Sequence, residues 1–263
     1  MGTYKDWMES SSIISPSCTV VPAQLAATDR AQAVAHQLDL VFEKTLDIAT
    51  GAVALVIDRE DAWLQEINAN RPGPVKVDFA SPAMMHRRKG GQNEMLGRAI
   101  GIKSNRHPWV FDATAGLGRD AYVLADLGCK VTLVERSAVL AFVLQEGLNR
   151  ATISQFNEVR EAAARMSVHC IDSTEMRVTP DQVIYLDPMF EERKGTAASK
   201  KDLSVLQALH GHHADDQRLI NWAFAQPVSR IVVKRPIKAA PLTVSSPSHV
   251  LKGKSVRFDV YVR

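Results

Sequence analysis

Asp112-Ala113-Thr114-Ala115-Gly116-Leu117-Gly118-Arg119-Asp120 follows the apolar run Trp109-Val110-Phe111 and leads straight into a helical pattern. An apolar run, a turn with two glycines and a helix start form a strand–turn–helix unit. That arrangement lays a nucleoside cofactor across the carboxyl end of a sheet. Glu135 stands 19 residues beyond Gly116, close to the spacing of about 20 at which an acid reaches ribose hydroxyls. A glycine pair at a strand end also serves as a plain turn, but here strand, turn, helix and acid occur in order. Further on, Val183-Ile184-Tyr185-Leu186 reads as a buried strand. It delivers Asp187-Pro188-Met189-Phe190, a carboxylate, a proline carbonyl and an aromatic ring, to the same edge.

Around these two segments the pattern from Pro108 onward is β-α-β-α-β. A helix through Leu124 stops at Gly128, and Val131-Thr132-Leu133-Val134 is a strand ending at Glu135. Ser137 can cap a helix carrying Leu140, Val143, Leu144 and Leu148. A helix near Phe156 to Met166 precedes a strand from Ser167 to Ile171. Helices near Leu203 to Leu209 and Gln217 to Phe224 precede the strand Ile231-Val232-Val233. Val256, Phe258, Val260 and Val262 alternate, which predicts an antiparallel edge strand with one exposed face, paired near Val250. A mostly parallel sheet finished by an antiparallel hairpin is the layout of a class I (Rossmann-like) methyltransferase sandwich, an α/β fold.

Upstream, residues 1–80 read as a small N-terminal α+β domain, 81–107 as a basic loop with a connecting helix, and 108–263 as the methyltransferase domain. Cys18 to Val21 is a predicted strand. Ala31, Val34, Ala35 and Leu38 share a helical stripe behind a Thr28/Asp29 cap, and Val53 to Ile57 with Trp63 to Ile67 predict a hairpin. Val75, Val77 and Phe79 alternate as a half-buried strand, with Asn70-Arg71-Pro72-Gly73-Pro74 and Ser81-Pro82 as punctuation.

At 46% apolar residues the chain can bury a full α/β core. No apolar run approaches the ~18 residues of a membrane span, and Met1 to Thr19 lacks the order of a signal peptide. Cys18, Cys129 and Cys170 are dispersed, which points to a reducing compartment and away from a zinc site. A cytoplasmic protein with no membrane partner and no metal is expected. His210, His212 and His213 lie close together without acids or cysteines at ligand spacing, and read as a solvent cluster.

The net charge of +3 is unevenly spread. Residues 71–106 carry eight Lys/Arg against two acids, and residues 228–263 carry eight against one. Two basic blocks on an otherwise acidic chain fit a phosphate backbone, the alternative being solvated faces. His86-Arg87-Arg88-Lys89-Gly90-Gly91 reads as an exposed loop, because charge is clustered beside glycines. Arg87, Arg88, Lys89, Lys234 and Arg235 are therefore expected to hold RNA phosphates. Lys194, Lys200 and Lys201 belong either to an RNA-contacting flap or to a polar linker.

Electrostatics separates the possible cofactors. Asp112, Asp120, Glu135, Asp172 and Asp187 all lie at or near strand ends. Such a rim opposes the pyrophosphate of NAD and suits S-adenosylmethionine, with its sulfonium and ammonium. Asp187 and the Pro188 carbonyl can accept the two hydrogens of an exocyclic base amine, aiming its delocalised lone pair at the methyl group. Phe190 offers a stacking face worth about 1–3 kcal/mol. In the competing reading the proline merely stops strand pairing and Phe190 joins the core. An NAD-dependent oxidoreductase and a non-catalytic RNA-binding assembly factor are the alternative functions.

Met85-His86-Arg87-Arg88-Lys89, the Asp112–Asp120 turn, Tyr185-Leu186-Asp187-Pro188-Met189-Phe190 and Val232-Val233-Lys234-Arg235-Pro236 together resemble the RsmJ family. These are bacterial methyltransferases that make N2-methylguanosine in small-subunit (16S) ribosomal RNA. The similarity runs from about Val77 to Tyr261. It implies cofactor contacts by Arg119-Asp120, Glu135-Arg136, Asp172-Ser173 and Asp187, alongside the turn residues Asp112, Gly116 and Gly118. It implies 16S ribosomal RNA or the small ribosomal subunit as partner.

Overall fold

The computed structural model describes residues 18–47, 49, 52–67, 73–88, 91–188, 204–209, 216–240, 242 and 245–263. The chain opens with β1 (Cys18–Pro22), α1 (Thr28–Leu38), β2 (Val41–Phe42), β3 (Val53–Ile57) and β4 (Ala62–Glu66), whose sheet runs β2-β1-β3-β4. The expected hairpin forms, since β3 and β4 pair antiparallel, with Asp58 and Asp61 closing the turn. The stripe of α1 also forms, and buries Ala31, Val34 and Ala35. Its cap differs from expectation. Ala27 occupies the cap, and the Thr28 hydroxyl instead donates to the Leu25 carbonyl at 2.8 Å, because a 3-10 turn feeds the helix.

Val75, Val77 and Phe79 are buried as the alternation requires, but they do not form a strand. Only Val75 bridges to Leu64. The Val77 carbonyl accepts from the Arg150 guanidinium at 2.6 Å, so its backbone is committed to a side chain instead of a ladder.

Two helices follow, α2 (Pro82–Arg88) and α3 (Gly91–Ile100). They correct the reading of His86 to Gly91 as an exposed loop. Pro82 suits a first helical position, the Ser81 hydroxyl accepts weakly from the Met84 amide at 3.4 Å, and His86, Arg87 and Arg88 complete α2.

The second sheet is built from β5 (Trp109–Asp112), α4 (Arg119–Asp126), β6 (Val131–Glu135), α5 (Ala138–Thr152), α6 (Asn157–Ala163), β7 (Met166–Cys170), β8 (Gln182–Leu186), α7 (204–209), α8 (Asp216–Ala225), β9 (Arg230–Pro236), β10 (His249–Lys252) and β11 (Val256–Val262). Its order is β10-β11-β9-β8-β5-β6-β7, with β5 to β9 parallel and β11 antiparallel to both neighbours. The chain steps outward from β5 to β7, then returns to place β8 on the other side of β5. The crevice of such a sheet opens at that reversal, at the carboxyl ends of β5 and β8.

Strand alternation produces three layers. Val183 and Tyr185 of β8 face the core shared with α4, α5 and α6, whereas Ile184 and Leu186 face the core under α8. The first core continues without a break into the small sheet through Val20, Leu55 and Leu64. Val77 sits where Gly147 of α5 has no side chain; any Cβ there would collide with it. Ion pairs Arg30–Glu146 and Arg150–Asp61 flank this seam.

The carboxyl-terminal hairpin corrects a second expectation. β11 is an interior strand and β10 is the edge. Its second face is not exposed either. Asp259 is buried against a two-pronged Arg257 guanidinium at 2.8 and 3.1 Å, and Tyr261 meets Phe224 edge to face at 4.8 Å. No helix among the described residues is long and apolar enough to cross a membrane.

Candidate active site

The glycine turn is fastened to three strand ends. Gly116 and Gly118 take φ of 52° and 70°, values that favour glycine. The Glu135 carboxylate at the end of β6 accepts from the amides of Gly116 at 3.0 Å and Ser137 at 2.7 Å. Ser173, beyond β7, donates its buried hydroxyl to the Ala113 carbonyl at 2.6 Å. Beyond β8, the Asp187 amide donates to the Thr114 hydroxyl at 2.7 Å. The sequence pattern marks the glycines and Glu135 but not Thr114, whose fastening role appears only once β5 and β8 are neighbours.

The two glycines do different work. A Cβ on Gly118 would lie 2.6 Å from Leu144 and 3.2 Å from Phe79, so this glycine packs the turn onto the core. A Cβ on Gly116 would meet nothing closer than the Thr114 carbonyl at 4.0 Å, so its open side faces the crevice. Gly118→Ala is therefore expected to destabilise the fold by about 2–4 kcal/mol, through overpacking added to the strain of its left-handed backbone. Gly116→Ala should lose only about 1 kcal/mol from backbone strain while weakening cofactor binding more than Gly118→Ala does. Urea unfolding and calorimetric titration of the two variants check this contrast.

Beneath the turn lies a cluster of ionisable groups. Asp112 is 2% exposed, and burial pushes its carboxyl up to about 8; Asp120, Asp187 and Glu135 add like charge, while the Thr114 amide opposes the rise. Asp120, in the first turn of α4, accepts from Lys234 at 2.6 Å, from the Tyr185 hydroxyl at 2.6 Å and from Arg87. Burial alone would raise the Asp120 carboxyl, but the Lys234 and Arg87 cations hold it well below the carboxylate range. Lys234 also reaches Asp187 at 3.0 Å. Burial opposes its charge, yet the two carboxylates keep the ammonium protonated above its ordinary range. Burial and the neighbouring Asp120 raise the Tyr185 phenol well above its ordinary value, so it stays a donor.

These contacts correct three of the phosphate-binding expectations. Lys234 is turned into the carboxylate cluster with its side chain 16% exposed. Arg235, one residue on, points to the opposite sheet face and is buried near Asp259. A strand inside a sheet has no solvent face to offer a phosphate. Arg87 is partly exposed but committed to Asp120. Arg88 ends α2, and Lys89 lies outside the described residues, as do Met189, Phe190, Lys194, Lys200, Lys201, His210, His212 and His213.

The remaining expected residues line the same edge. Arg119 opens α4 beside Asp120, and Pro188 is buried directly after Asp187. Asp172 caps a short turn by accepting from the Thr174 amide at 2.8 Å and hydroxyl at 2.6 Å. Burial would raise this carboxyl, but the Thr174 bonds, with Arg218 and Arg136 nearby, lower it. Ser173 does not face the crevice, because its hydroxyl holds the turn from below.

A cationic methyl donor fits this arrangement. Four acids, Asp112, Asp120, Glu135 and Asp187, gather beneath the turn against Lys234 and Arg87, and their like charge adds to the burial that raises Asp112. Positive charge placed on the rim relieves that crowding, and the open side of Gly116 leaves it room.

Comparison with known proteins gives the same direction. Residues 35–263 match the family described as putative SAM-dependent methyltransferase. The chain is 40% identical over 253 residues to the ribosomal RNA small subunit methyltransferase J of Pseudomonas fluorescens strain Pf0-1, covering 93% of this chain and 95% of that protein. It is 42% identical over 231 residues to the protein of the same name from Dechloromonas aromatica strain RCB, covering 84% and 94%. The crystal structure of a SAM-dependent methyltransferase from Neisseria gonorrhoeae superposes with a TM-score of 0.71 at 30% identity, covering 93% of this chain and 95% of that one.

Proposed function

The chain belongs to the ribosomal RNA small subunit methyltransferase J family of SAM-dependent methyltransferases, and from that footing we propose that it methylates the exocyclic N2 of a guanosine in small-subunit ribosomal RNA. Family membership sets aside the NAD-dependent oxidoreductase reading. The observation that carries the proposal is the placement of Asp187, held by Thr114 and Lys234 beside the glycine turn. S-adenosylmethionine, when bound, supplies an electrophilic methyl group on a positively charged sulfur.

The chain's own residues then divide the work. Glu135 takes the ribose hydroxyls with lone pairs that its two backbone amides leave over, and Arg136 and Asp172 flank it at the ends of β6 and β7. Asp120, with Arg119 beside it, supplies negative charge toward the cationic end of the donor. The Asp187 carboxylate and the Pro188 carbonyl accept the two N2 hydrogens, which aims the lone pair along the line of transfer. Asp187 is placed to receive the proton that N2 would give up on accepting the methyl group. Phe190 is assigned the stacking face for the base.

For the RNA backbone, exposed cations at this edge include Lys238 beyond β9 and, on the β10–β11 hairpin, Lys252 and Lys254. With Arg88 and Lys89 they replace Arg87, Lys234 and Arg235 as the phosphate-holding set. Phosphate contacts give affinity without reading sequence, so specificity rests on the extruded guanine and RNA shape.

Incubation with small subunits and ribosomal RNA lacking the modification, followed by nucleoside mass spectrometry, is expected to yield N2-methylguanosine. Label on adenine, on a ribose hydroxyl or on protein would refute the substrate. Binding of RNA without transfer would favour a non-catalytic assembly factor.

A further inference from the structure

We propose that Lys234 is the positioning residue of this active site: its ammonium locks the Asp187 carboxylate in the orientation that receives the acceptor amine, and ties it to Asp120 at the start of α4. The inference rests on the assignment of Asp187 to the acceptor.

The geometry is specific. Lys234 lies in β9, next to β8, and alternation sends its side chain to the Tyr185 side of the sheet. Its nitrogen stands 2.6 Å from Asp120 and 3.0 Å from Asp187, with all three side chains at or below 17% exposed. Tyr185 donates to the same Asp120 oxygen that Lys234 does, at 2.6 Å. Asp187 is thereby held twice, by its amide on Thr114 and by its carboxylate on Lys234. An ammonium carries three donors and no acceptor, so it can bridge two carboxylates that would otherwise repel one another.

Charge is the second half of the argument. Facing this ammonium are Asp120 of α4, Asp187 beyond β8 and Arg87 of α2, with the Tyr185 hydroxyl of β8 on the same Asp120 oxygen. Without Lys234, the Asp120 and Asp187 carboxylates would face one another with no ammonium between them, and their repulsion would turn Asp187 from its place. An Asp187 so turned neither accepts the N2 hydrogen as well nor takes up the proton released by transfer. Lys234 itself exchanges no proton and touches no reacting atom.

The test uses Lys234→Met and Lys234→Arg in the full chain, with unmodified small subunits as substrate. Lys234→Met is expected to lower kcat ten- to a hundredfold and leave the RNA KM within about threefold. Lys234→Arg keeps the charge and should recover part of the lost kcat. A normal kcat with a raised RNA KM in either variant would make Lys234 a phosphate contact and overturn the proposal.

A crystal structure of cofactor-free Lys234→Met needs no substrate, and so separates this inference from the choice of nucleoside. An Asp187 carboxylate rotated away from its wild-type position is expected; an unchanged one refutes the inference even if guanosine proves the wrong substrate. If wild type makes no N2-methylguanosine yet the carboxylate moves, the substrate reading fails and the Lys234–Asp187 coupling stands. Should Lys234→Met not fold, Lys234→Arg decides through its kcat and KM.

Discussion

Asp187→Ala is expected to lower the rate of methyl transfer by about a hundred- to a thousandfold, the range found when a positioned proton acceptor is removed. The side chain does two things that alanine cannot do: it orients the amine and receives its proton. The fold should survive, because the bond that anchors this segment runs from the Asp187 backbone amide to the Thr114 hydroxyl and needs no side chain. Lys234 also keeps a partner in Asp120, so no buried cation is orphaned. Asp187→Asn retains an acceptor oxygen without the charge and should fall between alanine and wild type. Single-turnover kinetics at saturating cofactor, with calorimetry to measure cofactor affinity, separate the chemical loss from a binding loss. A turnover within tenfold of wild type in the alanine variant would remove Asp187 from the chemistry.

The parts of the fold that sequence made legible are those carried by local pattern. The β5–turn–α4 unit, the Ser137 cap and the β3–β4 hairpin depend on residues a few positions apart, and all form. What stayed hidden depends on pairing across distance. Arg87 and Asp120 are 33 residues apart, and nothing in a run of basic residues tells that one of them is claimed by a helix start. Lys234 reads as a surface cation until β9 is known to lie inside the sheet, next to the strand that ends at Asp187. Asp259 reads as an exposed residue of an amphipathic strand until Arg257, two positions away on the same face, is seen to neutralise it in the interior. In each case charge was visible and burial was not. The glycines and acids that gather at this edge were therefore legible in the sequence, and the buried cations among them, which make so many acids tolerable there, were not.

Glu135→Ala tests the other half of the site, and its effect should appear in two measurements at once. The carboxylate is 4% exposed and takes the amides of both Gly116 and Ser137. Removing it leaves the buried Ser137 amide unsatisfied, at about 1–3 kcal/mol, and frees the part-buried Gly116 amide, so the cofactor-free protein should lose about 1–3 kcal/mol of unfolding free energy or slightly more. The same change removes the proposed acceptor for the ribose hydroxyls and frees the turn that faces the ligand. Cofactor affinity should then fall by about ten- to a hundredfold, the scale of a lost hydrogen bond to a charged group. Glu135→Gln sharpens the distinction: one oxygen still accepts, but the amide nitrogen that replaces the other confronts a backbone donor, so stability suffers even where shape is kept. Ser137→Ala supplies the control, since it removes only the weak 3.4 Å cap on Leu140 and leaves Glu135 in place. If Glu135→Ala melts earlier but binds S-adenosylmethionine as tightly as wild type, Glu135 is an anchor of the glycine turn alone, and the ribose must be held by Arg136 or Asp172 instead.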